Sequence, residues 1–164
     1  MTTRRRAEGA GRTPVTLEPV ILDPRWRRAV GGPCGFVRRF AEAALKAAKG
    51  TGPVSVALGS DAQVQTLNAS FRDKDKPTNV LSFPGVGGGG DVILALETIR
   101  AEARDQGKSL GDHAGHLIVH GILHLFGYDH QMPGEARRME RLERAILARL
   151  GVADPYGGAG TRRA

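Results

Sequence analysis

His120-Gly121-Ile122-Leu123-His124-Leu125-Phe126-Gly127-Tyr128-Asp129-His130 is the run from which the rest of the chain can be placed. At about 3.6 residues per turn, His120 and His124 stand roughly 40° apart on one helical face, so both imidazoles reach a common point. Gly127 stands where a left-handed residue ends a helix, and a turn through Tyr128 and Asp129 swings His130 back toward that point. Three imidazoles leave a four-coordinate cation one open position, the arrangement of a catalytic metal site rather than a closed structural one. The run therefore predicts a metal site at the C-terminal end of a helix.

All five histidines lie between His113 and His130. Four of them, His113, His116, His120 and His124, share a stripe about 80° wide. The remaining sides of that helix carry Leu117, Ile118, Val119, Ile122, Leu123, Leu125 and Phe126, which predicts burial. Imidazoles in such a setting need a hydrogen-bond or metal partner each. The spacing matches the zinc-peptidase pattern His-Glu-x-x-His-x-x-Gly-x-x-His at every histidine and at the glycine. Gly121, however, stands where that pattern has the glutamate that takes the proton from water. A metallopeptidase would keep the ligands and lack its base.

Outward from this helix, Ser109 and Asp112 form a Ser-x-x-Asp capping box at its start. Pro133 to Leu150 reads as a following helix with Met139, Leu142, Ile146, Leu147 and Leu150 inward. Upstream, Val15 to Leu22 reads as a strand, Pro33 to Lys49 as a helix closed by Gly50, and Pro53 to Leu58 as a strand alternating through Val54, Val56 and Leu58. Ser60 caps a helix to about Phe71, and Arg72 to Pro77 is a charged turn. In the strand Asn79 to Pro84, Leu81 and Phe83 face one way and Val80 and Ser82 the other. Gly85 to Gly90 is a hairpin loop, Asp91 to Leu96 the returning strand, and Glu97 to Gln106 a short helix. The fold class is α+β (mixed α/β): a single domain with about four strands in a mixed sheet packed with helices. Residues 1–14 are expected to form a disordered basic N-terminal tail, 15–153 the domain, and 154–164 a flexible Gly-rich tail.

With 164 residues, one domain accommodates the whole pattern. The formal charge is +7, from 24 Lys and Arg against 17 Asp and Glu, and the sequence pI is about 10.3. Such an excess favours a polyanion partner, nucleic acid first. The one cysteine, Cys34, excludes an internal disulfide and reads as a small buried residue. No run approaches the roughly 18 apolar residues of a membrane span, so a cytoplasmic protein with no membrane partner is expected. Trp26, between Arg25 and Arg27, reads as an aromatic at the edge of the core, with base stacking as its alternative.

Leu67-Asn68-Ala69-Ser70-Phe71-Arg72-Asp73-Lys74-Asp75-Lys76-Pro77-Thr78-Asn79-Val80-Leu81-Ser82-Phe83-Pro84, followed by the strand start Gly90-Asp91-Val92-Ile93 and the run His120 to His130, resembles the bacterial rRNA maturation factor family YbeY. The similarity spans about Val15 to Leu150. It implies a metal-dependent endoribonuclease specific for single-stranded RNA, acting in rRNA maturation, including 16S rRNA 3′-end processing, and in ribosome quality control. The implied partners are rRNA and the small ribosomal subunit, with no DNA. By position, His120, His124 and His130 match the family's ligands for one divalent ion, Zn2+ by family, and Arg72 matches an arginine serving RNA binding or catalysis. His113 and His116 match less strongly. Arg72 suits a phosphate because its guanidinium offers a planar fork of donors that keeps its charge. Lys74 and Lys76 read as further phosphate contacts, and Asp129 as a group that orients a ligand or closes the turn. A non-catalytic ribosome-assembly factor with a structural metal would use the same ligands and the same basic surface.

Overall fold

The strand Pro53–Gly59 shows how the sheet takes its place: Val54, Val56 and Leu58 are buried while the residues between them are only half-buried, as a strand with one better-covered face requires. The computed structural model describes residues 14–72, 78–129 and 131–157, side chains at 71 and 72 excepted. In chain order the elements are β1 (Thr16–Ile21), α1 (Trp26–Val30), α2 (Pro33–Ala48), β2 (Pro53–Gly59), α3 (Asp61–Arg72), β3 (Val80–Pro84), β4 (Gly90–Ala95), α4 (Leu96–Asp105), α5 (Leu110–Leu125) and α6 (Pro133–Arg149). The sheet order is β1-β2-β4-β3, with β1, β2 and β4 parallel and β3 antiparallel to β4. The mixed four-stranded sheet expected from the sequence is present.

Alternation sorts β4 between two cores. Val92 and Leu94 join Val54, Val56 and Leu58 in the main core, whereas Ile93 and Ala95 pack with Leu81 and Val64 on the opposite face. The helices α2 and α5 lie side by side over the first face, with α6 packed outside them, and α3 covers the second. On β3, Leu81 and Phe83 turn to α3, Val80 turns to the main core, and Ser82 Oγ donates to the Gly121 carbonyl at 2.9 Å. The edge strand is thereby tied to α5.

Several local expectations are corrected. The residue in the left-handed region after α2 is Lys49 at φ 51°, not Gly50, and Gly50 lies against the Phe126 ring. Trp26 is fully buried, and its Nε1 donates to the Gly59 carbonyl at 2.9 Å, so no base can stack on it. Cys34 is exposed although it stands one turn before buried Val37 on the same side of α2, because it occupies the first turn, ahead of the buried residues of that helix. Residues 154–157 do not leave the surface: Tyr156 reaches back to α6 and α5. Tyr156 stays exposed at 37% while its hydroxyl reaches the buried carboxylate of Glu143.

Candidate metal centre

α5 starts where Ser109 Oγ accepts the Asp112 amide at 3.0 Å. It ends in a Schellman motif: the Tyr128 amide donates to the Leu123 carbonyl at 3.1 Å and the Gly127 amide to His124 at 3.2 Å, with Gly127 at φ 91°. This turn reverses the chain beside the last two helical turns. His120 and His124 line an open cleft of about 580 Å³ with Asn79, Val80 and Ser82 of the β3 side opposite them and Tyr128 and Asp129 at its end. His130, Lys74 and Lys76 lie outside the described residues, as does the side chain of Arg72, whose backbone closes α3.

Each imidazole of the stripe meets a partner through at least one nitrogen, while among the described residues Nδ1 of His113 and of His116 has none. His113 Nε2 meets Glu102 Oε1 at 3.0 Å, His116 Nε2 meets Glu143 Oε2 at 2.8 Å, His120 Nδ1 meets Glu143 Oε1 at 2.6 Å, and the Nε2 atoms of His120 and His124 face each other at 3.0 Å. Glu143 is fully buried on α6. The Tyr156 hydroxyl donates to its Oε2. Burial alone would raise the Glu143 carboxyl, but the hydrogen bonds from His116, His120 and Tyr156 outweigh it and bring it down to about 2. Burial and the adjacent Glu143 push the Tyr156 phenol up, so it remains a donor.

His116, His120 and Glu143 form a group that could hold a metal ion, their ligand atoms all lying within 4.8 Å of one another. This group overlaps the sequence-predicted ligands at His120 alone. The separations of 2.6 and 2.8 Å within it are those of hydrogen bonds. An ionised carboxylate only accepts, so His120 Nδ1 carries the proton and Nε2 presents its lone pair to His124. Two nitrogens on a tetrahedral zinc, about 2.0–2.1 Å from the ion, stand roughly 3.3 Å apart, close to the 3.0 Å seen here. The donor set fits a divalent cation, with Glu143 in the place of the carboxylate that orients a metal-binding histidine.

Gly121 carries a second chemical consequence. A Cβ at this position would lie 2.7 Å from Val92 Cγ1 and 3.2 Å from Ser82 Oγ. The site therefore has no room for the peptidase glutamate.

Glu143 and Tyr156 escaped the sequence reading. For Glu143 a signal existed: it sits inside the apolar stripe Met139, Ile146 and Leu147, where a lone carboxylate requires buried donors. Tyr156, in a Gly-rich stretch, carried none.

The family model for endoribonuclease YbeY matches residues 35–151. An endoribonuclease YbeY of Paramagnetospirillum magneticum is 49% identical over 161 residues, covering 87% of this chain and 98% of its own. One from Nitrobacter winogradskyi is 47% identical over 158 residues, covering 88% and 83%. The solution structure of a Thermotoga maritima protein matches at a TM-score of 0.58 and 21% identity over 91% of this chain and 100% of that one, a shared fold. These matches mean that the chain belongs to the endoribonuclease YbeY family.

Proposed function

We propose that this chain is a metal-dependent endoribonuclease specific for single-stranded RNA, acting in the cytoplasm in rRNA maturation, including 16S rRNA 3′-end processing, and in ribosome quality control on the small subunit. The ligands are His120, His124 and His130, and the ion is Zn2+. The observation that carries this reading is the His120–His124 Nε2 pair, backed by buried Glu143 and opening into a cleft where Gly121 leaves no peptidase base. The basic excess and the family membership point the same way. Among the described residues no helix is long and apolar enough to cross a membrane.

A divalent cation bound there supplies Lewis acidity for phosphodiester hydrolysis. The chain's own part is positioning. His120 is held by Glu143 with Nε2 toward the cleft, and Asn79 is held at the cleft wall by Glu102, to which its Nδ2 donates at 3.0 and 3.3 Å. Arg72, Lys74 and Lys76 bind the phosphate backbone, and the charge of Arg72 stabilises the negative charge that grows as the bond breaks. A duplex resists because its A-form backbone is held away from the in-line geometry that hydrolysis needs.

The test is a matched set of single-stranded RNA, duplex RNA and unfolded peptide, incubated with metal-loaded protein, chelated protein and His120→Ala, with end-group analysis of products. Cleavage of the single strand alone, lost in the latter two, is expected. Metal-loaded protein that binds RNA without cutting it would return the function to a non-catalytic assembly factor. Arg72→Glu should lose RNA processing while melting near wild type, since exposed helix-end charges contribute little to stability.

A further inference from the structure

The segment after α6 is built to reach Glu143. The Asp154 carboxylate accepts the Tyr156 amide at 2.8 Å and Arg144 Nε at 3.0 Å, and the Arg144 guanidinium lies 5.2 Å from the centre of the Tyr156 ring. Lys108 Nζ donates to the Pro155 carbonyl at 3.3 Å, bringing the loop before α5 to the same segment. Tyr156 then lies edge-on to His116, centroids 5.6 Å apart at 82°, and its hydroxyl donates to Glu143 Oε2. Among the described residues, Oε2 thus serves two donors, His116 and Tyr156, and Oε1 serves His120. A buried carboxylate with all its donors supplied has one orientation, and the histidine it holds has one tautomer.

We propose that Glu143 and Tyr156 are positioning residues for the metal ligand His120: Glu143 fixes the tautomer and ring orientation that turn Nε2 toward the ion, and Tyr156 is the clasp that holds Glu143. This rests on the ligand role given to His120 above. The loss of either group weakens metal binding without removing a ligand. In Glu143→Gln the amide oxygen stays with the two donors, His116 and Tyr156, and the NH2 turns to His120. A donor facing Nδ1 selects the opposite tautomer, with the proton on Nε2.

The experiment measures zinc affinity by competition with a chromophoric chelator for the wild type, Glu143→Gln and Tyr156→Phe, together with the His120 nitrogen shifts by 15N NMR in the metal-free proteins. Glu143→Gln should weaken zinc roughly 10- to 100-fold, as outer partners of ligating histidines do. Tyr156→Phe, which removes only a hydroxyl, should weaken it less and broaden the His120 signals toward mixed tautomers. Wild-type affinity in both variants would overturn the proposal, as would a lower melting temperature with unchanged zinc affinity in the folded protein. A wild-type His120 protonated on Nε2 in the metal-free state would overturn it as well. A wild type that holds zinc with these variant effects but cuts no RNA supports the pairing while removing the ribonuclease reading.

Discussion

α5 sets a histidine on a glutamate three times among the described residues, and the first and last of these pairs are used differently. Near its start, buried His113 binds Glu102 of α4 through Nε2, and among the described residues its Nδ1 has no hydrogen-bond partner. Near its end, His120 binds Glu143 of α6 through Nδ1 and turns Nε2 into the cleft beside His124. The His113 side chain is 5% exposed and that of His120 23%. What separates a latch from the proposed ligand is therefore which nitrogen the carboxylate takes and where the other one points. Glu102 also accepts from Asn79, so the first pair still serves the cleft by holding its wall.

The largest expected effect separates the two pairs by metal. His120→Ala should abolish stoichiometric zinc and RNA cleavage, as elemental analysis and a cleavage assay would read. His113→Ala should keep both and lose about 1–3 kcal/mol of stability, the usual cost of emptying a buried hydrogen-bonded site. Zinc lost from the His113 variant would merge the two roles.

Acid should strike the two pairs in separate windows. Burial, outweighing Glu102, lowers the His113 pKa from 6.5, so the neutral ring is favoured on folding; its contribution is present above 6.5 and is lost as pH falls through the lowered value. The Glu143 carboxyl falls from 4.5 to about 2, so its contribution is present above 4.5 and is lost as pH falls through 2. The second loss is on the order of 3 kcal/mol. Urea titrations of the metal-free protein should therefore show two declines; Glu143→Gln should flatten only the more acidic one and His113→Phe only the other.

Closer to the sheet, Gly121→Ala should cost about 1–3 kcal/mol by overpacking against Val92, read from the urea midpoint. Its RNA cleavage should fall with any shift of α5 against β3, which sharpens the claim that the His120 end depends on that contact. The smallest effect is expected far from both pairs. Cys34→Ser, at an exposed position in the first turn of α2, should change stability by less than about 0.5 kcal/mol and leave zinc binding intact. A larger change would mean that this end of α2 communicates with α5.

The legible parts of the molecule are those governed by local period and turn chemistry. Alternation through Val54, Val56 and Leu58 marked β2, the i, i+4 spacing put His120 and His124 on one face, and Gly127 announced the turn after α5; each depends on neighbours within a few residues. Only the tertiary structure could decide that Glu143, 23 residues from His120, is its partner, and that Tyr156, 40 residues from His116, closes over both. Cys34 illustrates the same limit in the other direction: its spacing to Val37 and Ala41 puts it on the buried side of α2, yet it is exposed in the first turn, ahead of where the packing begins. Local sequence sets what each element can present, but the identity of a buried carboxylate's donors follows from how α5, α6 and the segment beyond them pack, and no residue-to-residue period encodes that.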